Sequence, residues 1–579
     1  MRNSRLLRPL ALAAAALAAF SSPLAAQPPE QPAWRTVASM EFDVRADGFS
    51  FANYRNRKGR FENDISREDL FRMFGVRPTC DNGTTAANCI VKASARQWIE
   101  KMLAAMNIGH CEGIAVASLR FNAAQPFKGR SSPTAFQPRA DEVFRLGLDD
   151  GVENYIAYYW ITQTFEEVIR ASDAWAERGP RAIVQEIVRG IKSGTETYTI
   201  GLEKYDAGRA FDGHALVPYA VDHNGSTYRV SIYDSNFPGQ PRNLFVDDSD
   251  AQSWSYSSKG DAVRARADYR GGAATRSLYL TPTSIREDRC FTPEFKRFGE
   301  KASNCGLASE RASASAAMPP GVRFDTASYL AAQSANDGNA EFFLTGEGAM
   351  MVVDPDGRRV GYDPFKDRFV EEIPDAISDI LIGGLGIDAP HFVIPYDSDD
   401  PEAMYKIVFS GKYLERGTEN VMDLVFTAPG FTVGFEGIRL DAGEVLLAEI
   451  SADGEHITFT SSADGETPTV YFAFDGPADD DASYIATVGG VALAAGRSLN
   501  YDLELELGKL FISDDDGNAD KYDIELLRIG ADGREEVYRA DDVAFGRGDR
   551  YEMDFGQWKG DGDAICFKQD DEGDGFDDE

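Results

Sequence analysis

The sequence predicts an α+β domain, a helical lobe leading into an antiparallel sheet, followed by an all-β, sandwich-like C-terminal region. Three observations carry this. Apolar residues recur at helical spacing through 94–200, whereas alternating runs rich in β-branched and aromatic residues follow from 197 to 236. Helices first and strands after fit an α+β layout better than a doubly wound one. Beyond a Ser/Ala-rich stretch, ASERASASAAMPPG at 308–321, short strand-like runs alternate with turn signals such as DPDG, ADG and GDG.

At 579 residues the chain exceeds a single core and predicts several domains. Arg2, Arg5 and Arg8 precede an apolar run over 10–20 and the small residues Ala25 and Ala26. This is the pattern of a cleaved secretory signal over 1–26. No later apolar run reaches membrane length, so the expectation is an exported protein, periplasmic, extracellular or at the cell surface, without a membrane span. Residues 27–93 form a mixed region in which Ser66 and Asp69, three apart, mark a helix start. Residues 94–275 hold the α+β domain. Its long helical stretches are VENYIAYYWITQTFEEVIRASDAWAE and PRAIVQEIVRGIKSG, and its strands are TYTIGLEKY, HALVPYAVDH and STYRVSIYDSN. A disulfide-containing linker over 276–325, a β-sandwich module over 326–500 and an acidic β module with an Asp-rich tail over 501–579 complete the expected order.

The net charge is −36, and residues 501–579 carry 26 acidic against 9 basic side chains. Such a surface repels nucleic acid and anionic lipid. Six cysteines stand at 80, 89, 111, 290, 305 and 566. In an oxidising compartment, close pairs flanking polar loops predict Cys80–Cys89 and Cys290–Cys305 disulfides. Cys111 and Cys566 are left over.

Cys111 stands in NIGHCEGIAVASLRF, between a glycine turn and a new apolar run. A thiol at a helix N-terminus is activated by unpaired N–H groups and the helix dipole. The same N–H groups, including that of Cys111, can stabilise an oxyanion. The partner base must be one of five histidines. His110 adjoins the cysteine and points elsewhere, His223 sits in a DHNG turn, and His391 and His456 lie in the β-rich part. His214 remains, expected to open a strand just after Gly213. Pairing of 214–222 with 228–236 brings His214 opposite Asp234, with Asn236 as the alternative group to orient the imidazole.

The stretches GHCEGIA, GHALVPYAV and IYDSNFPG, over roughly residues 95–260, resemble papain-like cysteine peptidases of the clan CA type. The resemblance implies Cys111 as nucleophile, His214 as base and Asp234 as orienter, with Asn236 the runner-up. It implies no cofactor and a peptide or protein substrate cleaved by acyl transfer to water. The chain departs from that family where a glutamine ahead of the cysteine completes the oxyanion hole; the nearest candidate is Asn107. Transglutaminase-like acyl transferases share the Cys-His-Asp order. A secreted or surface adhesion protein with a non-catalytic scaffold of this kind is the alternative from another class, the β modules then taking an extracellular or cell-surface ligand.

Two acidic stretches echo calcium loops. In DDDGNADKYDIE, Asp514, Asp516, Asn518 and Asp520 are two apart, although Ala519 stands where glycine is needed. In the tail, Asp570, Glu572 and Asp574 repeat the spacing. A solvated hairpin turn and an acidic tail are the plainer readings. Phosphate-binding glycine loops, CxxC, HExxH and GxSxG motifs are absent from the sequence.

Overall fold

The computed structural model describes residues 33–55, 65–206, 208–259, 267–286, 290–296, 338–386, 389–396, 400–475, 482–490, 492–515, 520–545, 550–560, 562 and 565–570. The expected signal sequence, most of the expected 276–325 linker, the 308–321 stretch and the end of the acidic tail lie outside the described residues.

The first region is a helical lobe against an antiparallel sheet. The helices used below are α1 (Arg67–Phe74), α2 (Ala93–Ala105), α3 (Cys111–Asn122), α4 (Asp150–Ile161), α5 (Glu166–Ala176) and α6 (Gly179–Ser193). Helix α1 starts with a capping box, Ser66 accepting from the N–H of Asp69 and Asp69 from that of Ser66. The single helix expected over 152–177 is instead two. Thr162 and Thr164 bond their hydroxyls back to the carbonyls of Tyr159 and Ile161, and the chain turns through 162–164.

The strands of the eight-stranded sheet are β1 (Arg35–Ser39), β2 (Tyr198–Asp206), β3 (Arg209–His223), β4 (Thr227–Tyr233), β5 (Arg242–Asp247), β6 (Trp254–Tyr256), β7 (Tyr269–Gly271) and β8 (Leu278–Pro282). They run in the order β8-β2-β3-β4-β5-β6-β7, with β1 also paired to β3. The sheet therefore extends past both expected boundaries, 93/94 and 275/276, because β1 and β8 complete it. Helix α6 packs beneath through Ile183, Val184 and Ile187.

The described residues between 338 and 570 build a two-sheet sandwich. The nine-stranded sheet contains β9 (Asn339–Leu344), β10 (Ile377–Ile380), β11 (Pro390–Pro395), β12 (Glu419–Ala428), β13 (Phe431–Asp441), β14 (Thr469–Asp475), β15 (Ser483–Gly489), β16 (Asp520–Ile529) and β17 (Glu535–Phe545), in the order β10-β11-β9-β12-β13-β14-β15-β16-β17. A ten-stranded sheet faces it. The division expected at residue 500 is not where the sheets separate: β15 pairs with β16, and His456–Thr460 pairs with Ser498–Glu504. Each sheet needs strands from both sides of that point to bury its inner face.

Burial along β9 and β12 explains how the two regions join. Residues alternate between destinations: Phe342, Leu424 and Phe426 enter the sandwich core, while Phe343 and Val425 enter the core of the helical lobe. Both faces are dry because α2 lies across the outer one, which turns the usual alternation into the near-continuous apolar burial of β9. Buried polar groups lock the contact. Trp98 on α2 donates to Glu341 (2.7 Å), whose other oxygen meets His391 Nε2 (2.7 Å).

Cys80 and Cys89 form a disulfide. Cys290 is also disulfide-bonded, with its partner outside the described residues, as is Cys305. Cys111 and Cys566 are free thiols, the first buried and the second exposed.

Candidate active site

The turn before Cys111 is built from backbone geometry. Helix α2 tightens into a 3-10 turn at Met106–Ile108, and Gly109 then takes φ +121°, which L side chains rarely adopt. The axes before and after are 93° apart. Cys111 thus occupies the first position of α3, where backbone N–H groups have no helical partner. His110 turns away. Its ring stacks on Tyr54 at 4.1 Å with Nδ1 2.8 Å from the Tyr54 carbonyl oxygen, and burial takes its pKa down to about 4. It is neutral and donates from Nδ1.

His214 lies within β3 rather than at a strand start, paired across to Leu202 on β2. Its Nε2 donates to Asp234 Oδ1 at 2.7 Å. Asp234 follows the last residue of β4, and its remaining capacity is filled by the Tyr256 hydroxyl and by the N–H of Asn236 (2.7 Å). Cys111, His214 and Asp234 are each 0% exposed. Burial opposes charge on both members of the pair, but their mutual attraction wins. Asp234 is held below the usual carboxylate range and His214 well above the usual imidazole range. The other ring nitrogen, Nδ1, faces the thiol: an atom placed as a Cβ on Gly384 would sit 2.3 Å from His214 Nδ1 and 2.9 Å from Cys111 Sγ. Burial pushes the Cys111 thiol up, against the pull of His214 and of the Ala215 N–H, which points to Sγ at 3.4 Å.

Asn107, the expected oxyanion donor, is exposed on the 3-10 turn. Asn53 is the donor instead. Its Oδ1 accepts the N–H of His110 (2.7 Å) and its Nδ2 donates to the carbonyl oxygen of Gly383 (2.8 Å). The Cys111 N–H points at the same oxygen, at 3.5 Å. Nothing local in the sequence marks Asn53, which is more than fifty residues upstream in an irregular stretch. Asn236 does not orient His214; its side-chain amide donates to the Gly384 carbonyl at 2.9 Å.

The occupant of the cleft is therefore part of the same chain, the loop leaving β10. Ile382 N–H donates to Gln163 Oε1 (2.6 Å), and Trp160 Nε1 donates to the Ile382 carbonyl (3.1 Å). Gly384 N–H donates to the carbonyl of Gly213, the residue before His214 (3.1 Å). Gln163 is the central residue of the turn that breaks the expected long helix.

The calcium-loop residues do not assemble within the described part. Asp514 is buried and accepts the Tyr522 hydroxyl (3.0 Å), Asp520 begins β16, and Asp570 ends a strand opposite Arg550. Asp516, Asn518, Glu572 and Asp574 lie outside the described residues. Among the described residues no group of three or more His, Cys, Asp or Glu could hold a metal ion, and no single helix is long and apolar enough to cross a membrane. No family model, curated protein or solved structure matches the chain.

Proposed function

We propose that the protein is an exported, papain-like cysteine hydrolase that cleaves a peptide or amide bond through Cys111, His214 and Asp234. The observation that carries this is the convergence on one carbonyl oxygen of two donors, the Cys111 N–H and Asn53 Nδ2, beside a thiol faced by an imidazole whose far side is held by a buried carboxylate. Donors aimed at a carbonyl oxygen stabilise the negative charge that develops there on attack. Asp234 fixes the His214 tautomer and stabilises the imidazolium formed when Nδ1 takes the thiol proton. His214 then protonates the leaving amine, and activates the water that resolves the thioester. The Cys80–Cys89 disulfide fits an oxidising compartment.

The test is the rate of Cys111 alkylation against pH. Gly384→Ala opens the site, because Gly384 holds φ +77° and a Cβ there would overlap His214 Nδ1. A Cys566→Ser background silences the exposed thiol. In Gly384→Ala the rate is expected to persist well below the ordinary thiol pKa of about 8.5, and to lose that phase when His214→Ala is added. A rate that rises only near the ordinary value and ignores His214 would remove the enzyme reading.

Asn53 should act in the chemical step. Asn53→Ala is expected to reduce kcat by about 10²–10³-fold with little change in KM, the usual effect of losing one oxyanion donor. Peptide hydrolysis monitored by mass spectrometry provides the measurement, and an unchanged kcat would remove Asn53 from the mechanism.

A further inference from the structure

We infer that Cys111 cleaves its own chain, at the peptide bond between Gly383 and Gly384. This rests on the cysteine-hydrolase reading above.

The segment Leu-Ile-Gly-Gly lies in the site as a bound substrate would. Gly383 presents its carbonyl oxygen to both oxyanion donors, Asn53 Nδ2 at 2.8 Å and the Cys111 N–H at 3.5 Å. Gly384, which carries the nitrogen of the bond to be broken, faces His214 and the thiol. Backbone bonds secure it on both sides, its N–H to the Gly213 carbonyl (3.1 Å) and its carbonyl to Asn236 Nδ2 (2.9 Å). Ahead of the pair, Leu381 and Ile382 are 2% and 5% exposed and belong to the core of the helical lobe. The segment is held by specific contacts at every residue from 381 to 384.

Both glycines are required by the space. A Cβ on Gly383 would lie 2.3 Å from the Ile108 carbonyl oxygen, and one on Gly384 would lie 2.3 Å from His214 Nδ1 at φ +77°. The two positions beside the thiol thus admit only glycine. The same geometry defines the wider substrate class: a peptide with Gly-Gly at the cut and apolar residues immediately before it.

In the reaction, the thiol proton rests on His214 Nδ1, and the Cys111 thiolate bonds through Sγ to the carbonyl carbon of Gly383. The bond from that carbon to Gly384 N breaks, and His214 returns the proton to the departing amine. Water then attacks the thioester, leaving a carboxylate on Gly383 and a free thiol on Cys111. The nick leaves the fold joined. Ile380 on β10 pairs with Pro390 on β11, and the Leu381 N–H donates to the Ala389 carbonyl (2.9 Å), so both flanks remain in the sheet.

The experiment incubates the purified full chain, Cys111→Ala and Gly384→Ala at pH 7, denatures each, and reads intact masses and new N-termini. The decapeptide ISDILIGGLG is supplied separately to Gly384→Ala. The parent is expected to accumulate a fragment beginning at Gly384 while both variants stay whole, and the peptide is expected to be cut between its two adjacent glycines. An intact parent, a fragment that forms equally in Cys111→Ala, or a cut at another bond would each overturn the inference. An intact parent alongside fast, His214-dependent alkylation in Gly384→Ala leaves the hydrolase reading standing, with the segment a resident inhibitor. Slow alkylation there removes both.

Discussion

Asp234→Ala is expected to lower the unfolding free energy by about 3–5 kcal/mol near pH 6, the range for removing one partner of a buried ion pair. His214 would be left 0% exposed with no counter-charge, and the Tyr256 hydroxyl would lose its acceptor. The pH dependence follows from the two shifts. Asp234 is lowered in the fold, so its contribution is present above the ordinary carboxylate range and disappears as pH falls through its folded value. His214 is raised, so its contribution is present below the ordinary imidazole range and disappears as pH rises through its folded value. The difference between parent and variant should therefore be widest between about pH 4 and 6.5. Denaturant unfolding at a series of pH values measures it. A difference under about 1 kcal/mol throughout that window would mean that His214 is neutral and that Asp234 merely accepts an ordinary hydrogen bond. The low-pH alkylation phase of Cys111 should vanish in the same variant, since the imidazole would no longer be held charged.

How much of this site the sequence discloses depends on how local each relationship is. Cys111 is conspicuous because the glycine turn and the helix start are adjacent to it. His214 and Asp234 are linked by a hairpin whose turn, DHNG, is plain, so consecutive strands bring them close. Asn53 reaches Gly383 across 330 residues of sequence, and no turn, period or cap reports that contact. Asn107 attracted attention only through proximity in sequence; on a 3-10 turn its side chain is carried out to solvent. The Leu-Ile-Gly-Gly segment reads as a loop between strands, because two glycines and a following Leu-Gly are ordinary loop composition. Its meaning appears only when the sandwich is docked on α2. The C-terminal strands were legible as strands, yet not their assignment to two sheets, since alternation shows which face is buried but not which strand is the neighbour.

The packing of β10 should weaken as pH rises toward neutrality. Glu203 on β2 is 4% exposed, and burial pushes its pKa up to about 7, against smaller downward pulls from the hydroxyls of Tyr205, 2.6 Å away, and Tyr279. Asp379 on β10 is raised well above the carboxylate range by burial and by Glu203 and Asp173. Asp173 stands at the margin of this group on α5, where Arg170, Glu177, Glu371 and Arg276 also act on it. A carboxyl raised in the fold contributes stability that is complete at low pH and is lost as pH rises through the folded value. For Glu203 that loss spans about pH 4.5 to 7 and amounts to about 3 kcal/mol, from 1.36 kcal/mol for each pKa unit. Charged together, Glu203 and Asp379 repel, and β10, which packs against β3, is the strand that delivers Leu381 to Gly384 into the cleft. Hydrogen exchange at residues 378–382 should therefore quicken between about pH 5 and 7 beyond its intrinsic base catalysis, while Glu203→Gln, which keeps an acceptor for Tyr205, should flatten that excess. In the parent, Cys111 should become accessible to alkylation over the same interval, whereas Gly384→Ala, already open, should show only the titration of the thiol itself. Equal pH profiles for parent and Glu203→Gln would mean that this carboxyl group is ionised in the closed state and that something other than charge holds β10 in place.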